Sequence, residues 1–184
     1  MDHLKYTSSE LNRLNTENFK LSDKNDIYII LDQLRSGNNI GSIFRTSDAF
    51  KLKKIFITGQ SAVPPNKEIL KTALGATETV DWEYKEDAID LVLDLKKQGV
   101  KIVAVEQASN SISLEKFDIT GNMPMALILG NEVEGVQQAL LNMADTCLEI
   151  PQFGTKHSLN VAVSSGIVIW HLVNQLLNTE INEG

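Results

Sequence analysis

Hydrophobic positions along this chain follow two alternating rhythms. Continuous apolar runs rich in β-branched residues occur at Ile27–Leu31, Ile55–Thr58, Lys101–Val105 and Met125–Leu129. Such runs mark strands buried on both faces of a sheet. Cys147–Ile150 reads as a shorter strand. Between these runs, apolar residues recur at three-and-four spacing. One such stretch extends from about Ile40 to Phe50, with Asn38 and Asn39 as cap candidates. A second opens at Pro64-Pro65-Asn66, runs through Leu74 and stops at Gly75. Glu86–Gln98 places Ala88, Leu91, Val92 and Leu95 on one stripe and closes at Gly99. Val136–Met143 and the long, mostly apolar Ser158–Leu177 complete the helices. Ahead of them, Thr7-Ser8-Ser9-Glu10 is a capping-box pattern before Leu11 and Leu14, which predicts a short separate helix.

Strands alternating with helices predict an α/β fold, a mostly parallel sheet flanked by helices. The 184 residues suit one domain, 1–184, with 1–25 as a short N-terminal helical extension. No repeat, low-complexity tract or linker interrupts the pattern. In open α/β sheets ligands sit beyond the carboxyl ends of the strands. The segments that follow strands are therefore where chemistry is expected.

Three such segments stand out. After the first strand, Asp32 to Phe50 contains Gly37, Asn38, Asn39, Gly41 and Arg45. Gly and Asn make a tight turn there and leave backbone amides open at a helix start, where anions bind. Arg45 follows Asn39 by six residues, so the two are expected along one helical stripe facing a common ligand, unless Asn39 only caps and Arg45 is merely exposed. After the Met125–Leu129 strand comes Gly130-Asn131-Glu132-Val133-Glu134-Gly135. A plain turn explains the glycines but not Glu132 at the mouth of a strand. The third segment is Ile150-Pro151-Gln152-Phe153-Gly154-Thr155-Lys156-His157-Ser158-Leu159-Asn160-Val161, a polar loop entering a helix of small residues.

Composition narrows the function classes. No apolar run approaches the roughly 20 residues that span a bilayer, so no membrane partner is expected. Met1-Asp2-His3-Leu4-Lys5 lacks the basic-then-apolar order of a secretory signal. The single Cys147 excludes an intrachain disulfide, and a cytoplasmic setting is expected. Cys147 itself reads as a buried small hydrophobe. His3, His157 and His171 are scattered, so no metal site is expected. No phosphate-loop or G-x-S-x-G signature occurs. Net charge is −7, which alone argues against nucleic acid. Its distribution argues otherwise. Between Gln33 and Ala73 seven bases (Arg35, Arg45, Lys51, Lys53, Lys54, Lys67 and Lys71) stand against two acids, a local balance of +5.

Together the three segments resemble the SpoU/TrmH family of RNA 2′-O-ribose methyltransferases, within the knotted SPOUT class. Asn39, Gly41 and Arg45 resemble its N-x-G-x-x-x-R motif. Gly130, Asn131, Glu132 and Gly135 resemble G-[NS]-E-x-x-G. Ile150, Pro151, Gly154, Ser158, Leu159, Asn160 and Val161 resemble I-P-x-x-G-x-x-x-S-L-N-V. Order and spacing agree from roughly Ile27 onward. Ala162 and Ser164 depart from the pattern, standing where many members have Ser and Ala.

The resemblance implies a Rossmann-like sheet with a deep C-terminal trefoil knot, and a homodimer with its site at the interface. It implies S-adenosylmethionine held largely by backbone near Gly130, Ile150 and Leu159, with Leu129, Asn131, Pro151, Gly154 and Ser158 around it and Gln107 as a further contact. It implies RNA as substrate, since the acceptor is a 2′-hydroxyl. Without an appended RNA-binding domain, tRNA is favoured over rRNA. Arg35, Arg45, Lys51, Lys53, Lys54, Lys67 and Lys71 are the expected backbone contacts. Arg45 is the implied catalytic residue. Because a guanidinium stays protonated, its expected role is a bidentate phosphate clamp that stabilises the developing alkoxide while a phosphate oxygen or water takes the proton. Asn39, Glu132, Ser158 and Asn160 are expected to position it, the ribose or the donor. The alternative is a non-catalytic RNA-binding module of the same fold.

Overall fold

The computed structural model describes residues 3–7 and 10–183. Seven strands form one parallel sheet: β1 (Asn25–Asp32), β2 (Leu52–Thr58), β3 (Trp82–Lys85), β4 (Lys101–Val105), β5 (Ile112–Ser113), β6 (Met125–Leu129) and β7 (Thr146–Glu149). Their order is β3-β2-β1-β6-β4-β7-β5. β6 thus lies between β1 and β4, and its carboxyl end is flanked by theirs. The helices are α1 (Thr16–Leu21), α2 (Gly37–Ala49), α3 (Lys67–Ala73), α4 (Ala76–Thr79), α5 (Ala88–Lys97), α6 (Gln138–Met143) and α7 (Val161–Glu183).

Side-chain alternation along the central strands divides the core into two layers. Ile27, Ile29 and Leu31 pack with Ile40, Ile43 and Phe44 of α2 and with Val168, Ile169 and Leu172 of α7. Ile30, Phe56 and Ile128 face the other way, onto Leu91, Val92 and Leu95 of α5 and Leu140 of α6. Because both faces are covered, the central runs Ile27–Leu31, Ile55–Ile57, Ile102–Val105 and Met125–Leu129 are apolar throughout, as the sequence runs predict.

The structure corrects several expectations. Glu10 does return its carboxylate to Thr7 N (2.6 Å), but a turn follows rather than a helix at Leu11 and Leu14; Ser8 and Ser9 lie outside the described residues. The helix of this region is α1, capped by Asn15, whose Oδ1 accepts from Asn18 N at 2.8 Å. α2 is capped by Ser36, not Asn38 or Asn39: Ser36 Oγ accepts from Asn39 N at 3.3 Å. α7 begins at Val161, so Ser158 and Leu159 stay in the preceding loop. β3 and β5 went unpredicted. β3 is an edge strand with charges at two of four positions, which blunts its apolar signal, and β5 has only two residues. Val161–Thr179 is long and apolar enough to cross a membrane by length and composition, although polar residues interrupt it; its Val168, Ile169 and Leu172 are fully buried in the protein core.

Gly41 has a packing role. A Cβ built there would lie 2.1 Å from Thr72 Oγ1 and 2.3 Å from the Ile69 carbonyl oxygen. The absent side chain lets α2 and α3 cross in backbone contact.

Candidate active site

The turn after β6 is the centre of the site. A Cβ on Gly130 would meet the backbone of Gly135 and Val136 at 2.2 Å, so only glycine lets the turn fold back on its own start. Asn131 N donates to Gly135 O (3.0 Å) and Gly135 N to Asn131 O (2.9 Å). Asn131 Oδ1 accepts from Val133 N and Glu134 N, while its Nδ2 donates to Gln33 O at 2.7 Å. The asparagine therefore shapes the turn and fastens it to the β1–α2 loop.

Glu132 reaches from this turn to the start of α2. Its Oε1 accepts from Asn39 Nδ2 (3.0 Å) and Ser36 N (3.1 Å), and its Oε2 from Arg35 N (3.3 Å). Partial burial opposes the charge, but these donors outweigh it and hold the carboxyl below its usual range. Two amides just ahead of α2, those of Arg35 and Ser36, are thereby satisfied by a carboxylate of the protein itself.

Asn39 links onward. Its Oδ1 accepts from Asn160 Nδ2 at 3.1 Å. Asn160 Oδ1 in turn caps α7, accepting from Ala162 N (2.9 Å) and Val163 N (3.3 Å). One continuous chain of hydrogen bonds, Glu132–Asn39–Asn160, thus joins all three sequence segments.

Beside this chain opens a cleft of about 1090 Å³ at the carboxyl ends of β4, β6 and β7. Gln107, Leu129, Gly130, Asn131, Glu132, Ile150, Ser158, Leu159 and Asn160 line it; Pro151 and Gly154 do not. Gln107 Nε2 donates to His157 O at 2.7 Å, tying the β4 turn to the loop before α7. Ser164, one of the departures from the family pattern, also lines the cleft, and its Oγ donates to Val161 O at 3.0 Å. Sequence reasoning missed Glu106, which accepts from Val136 N (2.9 Å) and Gln107 N (2.8 Å) and braces the turn from the β4 side. Cys147 forms part of the wall, and burial pushes its thiol up.

Arg45 is not in this cleft. Six residues rotate an α-helix by about 600°, some 120° short of two turns, so Asn39 and Arg45 do not share a face. Arg45 lies exposed in a separate groove of about 510 Å³ between α2 and α3, lined also by Ser42, Thr46, Lys71 and Thr72. Among the described residues it makes no ion pair.

The basic segment divides in two. Arg35, Lys67 and Lys71 are exposed near the carboxyl end of β1 or along α3. Lys51, Lys53 and Lys54 sit at or near the amino end of β2, away from the cleft. Lys53 pairs with Asp26 at 2.9 Å and Lys54 with Glu83 at 2.7 Å. Hydrogen bonds from Lys54 and then Lys85 hold Glu83 at about 2. A linear count of charge could not see that separation. No group of three or more His, Cys, Asp or Glu converges as a metal site among the described residues.

The fold and site define an α/β domain with a cleft at the carboxyl edge of a parallel sheet, closed by these three segments, and residues 26–170 match the SpoU rRNA Methylase family. The chain belongs to that family. It is 28% identical over 156 residues to the tRNA (guanosine(18)-2′-O)-methyltransferase of Escherichia coli, covering 83% of this chain and 65% of that one. It superimposes on the AdoMet-bound rRNA methyltransferase of Sinorhizobium meliloti with a TM-score of 0.78 at 28% identity, over 84% of this chain and 58% of that one. For the A. aeolicus TrmH/SpoU tRNA modifying enzyme the TM-score is 0.79 at 25% identity, over 90% and 84%. The chain spans about three fifths of the length of several curated relatives it matches.

Proposed function

We propose that this protein is an S-adenosylmethionine-dependent RNA methyltransferase that modifies a ribose 2′-hydroxyl, with tRNA as the favoured substrate. The observation that carries this reading is the Glu132–Asn39–Asn160 chain, which joins the three family motifs at the rim of one cleft. The cleft fits the donor: it is roomy, and its lining includes Gly130, Ile150 and Leu159. Those residues, with Gln107 and Ser158, would hold S-adenosylmethionine, which supplies an electrophilic methyl group to the 2′-oxygen.

The protein's own work is positioning. Alignment of acceptor and donor supplies several kcal/mol of the barrier reduction in well-oriented cases. Arg45 grips the adjacent phosphate through its guanidinium fork and stabilises the charge that grows on the 2′-oxygen. The hydroxyl proton leaves to a phosphate oxygen or water.

Arg45 and the cleft occupy different parts of one protomer, which supports a homodimer in which a partner copy completes the site. The exposed apolar residues Val163, Ile167 and Trp170 on α7 support the same reading. So does the wholly exposed 153–160 loop. The trefoil knot of the family, formed by the segments that carry the second and third motifs, is part of this proposal. The test is mass-spectrometric mapping of 2′-O-methyl sites in RNA from cells with and without the protein. Loss of a methylated ribose in tRNA is expected. An unchanged map, together with no binding of S-adenosylmethionine in calorimetry, would overturn the reading.

A further inference from the structure

Asp32 is fully buried at the carboxyl end of β1, and its partners are all neutral. Gln137 Nε2 lies 3.0 Å from its Oδ1 and 2.9 Å from its Oδ2, and Thr58 Oγ1 donates to Oδ1 at 3.1 Å. Burying a carboxyl group without a cation is unfavourable unless hydrogen bonds compensate. By strand alternation Asp32 lies on the face of Tyr28 and Ile30, the α5–α6 face, where an apolar residue would continue the core layer. Packing alone does not account for a carboxyl group at this position.

Gln137 supplies that role. It is the residue before α6, yet its side chain makes no capping bond to that helix; it goes to Asp32 instead. It also closes the segment that begins at Gly130, the turn carrying Asn131 and Glu132. That turn is braced from the β4 side by Glu106 through Val136 N (2.9 Å). From the β1 side it is braced by Asp32 through Gln137. β6 lies between β1 and β4, so the two carboxyl groups hold the turn from opposite neighbours. Glu106 lines the cleft; Asp32 does not. The hydrogen-bonded route from the Asp32 side chain toward the cleft runs through Gln137 and the turn.

We propose that Asp32 is a positioning residue that, through Gln137, holds the 130–137 turn in the conformation that forms the wall of the donor cleft. The consequence for affinity rests on the donor-binding reading above; the consequence for the turn does not. Two measurements on the full chain separate them: amide hydrogen exchange of residues 131–136 without ligand, and calorimetry with S-adenosylhomocysteine as the probe. Gln137→Ala, an exposed position, and Gln137→Glu are expected to speed exchange in the turn and weaken probe binding about tenfold, the effect of one lost hydrogen bond. Gln137→Glu sets a second carboxylate against Asp32; adding Asp32→Asn restores a donor–acceptor pair with the roles reversed, and should recover most of both losses. Unchanged exchange in Gln137→Ala, or a double variant of Asp32→Asn with Gln137→Glu no better than Gln137→Glu alone, would overturn the proposal. If the double variant does not fold, Gln137→Ala decides alone. If the wild-type protein does not bind the probe while Gln137→Ala still speeds exchange, the donor reading fails and the positioning role stands.

Discussion

Asn39 donates from Nδ2 to Glu132 Oε1 at 3.0 Å and accepts at Oδ1 from Asn160, so a single side chain couples two loops separated from it by 93 and 121 residues. An amide is suited to this place because it offers a donor and an acceptor on adjacent atoms. Asn39→Asp would place a second carboxylate against Glu132 and remove the donor. It should abolish methyl transfer while leaving the secondary structure intact, as read by a methylation assay beside circular dichroism.

Glu132 gives this coupling a pH dependence. Its carboxyl is depressed in the folded protein, so its contribution to stability is present above the ordinary value of 4.5 and is lost as pH falls below that through the lower folded value. The melting temperature of Glu132→Gln should lie below that of the wild type at pH 7, and the gap should close in acid. A gap that persists unchanged at pH 3 would show that the carboxylate charge plays no part.

For Arg45, the separate groove predicts a split between chemistry and donor binding. Arg45→Lys keeps the charge but loses the planar fork. Turnover should fall about 100-fold or more, the scale of a lost transition-state donor. Affinity for S-adenosylmethionine should stay within twofold of wild type, a ratio of about 0.4 kcal/mol. Near-full turnover in this variant would refute the clamp.

The basic residues separate into two sets that a binding titration can tell apart. Reversing Arg35, Lys67 or Lys71 to Glu should weaken RNA binding and reduce the slope of log affinity against log salt by about one for each phosphate that is no longer neutralised. Reversing Lys53 or Lys54 should leave that slope unchanged. Their partners Asp26 and Glu83 already occupy them, so those variants should lower stability slightly instead.

Gly41→Ala tests a packing role inside the first motif. The added methyl meets Thr72 Oγ1 and the Ile69 carbonyl at distances that force α2 and α3 apart. Destabilisation of about 1–3 kcal/mol is expected from such overpacking, measured by urea unfolding. Thr72→Ala in the same chain relieves the side-chain clash but not the carbonyl one, and should recover only part of the loss.

Much of the architecture was legible in the sequence because both sheet faces are covered. Ile27–Leu31 and Met125–Leu129 had to be apolar throughout, and period and run length identified them as central strands. β3 escaped because an edge strand can carry Glu83 and Lys85, and the Asn15 cap escaped because a better-looking cap stood at Thr7. The three motifs were readable as residue types in order, since each sits directly after a strand. What each residue does was not. Whether Asn39 caps a helix or bridges two loops depends on where Glu132 and Asn160 arrive. Spacing along α2 put Arg45 and Asn39 together, whereas the helix period sets them about 120° apart. Lys53 and Lys71 look equivalent along the chain and lie in different surroundings in space. Local composition and periodicity by themselves determined the central strands, the longer helices and most of the inventory of the site. Tertiary structure alone decided the partners, because a hydrogen bond or ion pair depends on a few ångströms between residues that the chain separates by a hundred positions.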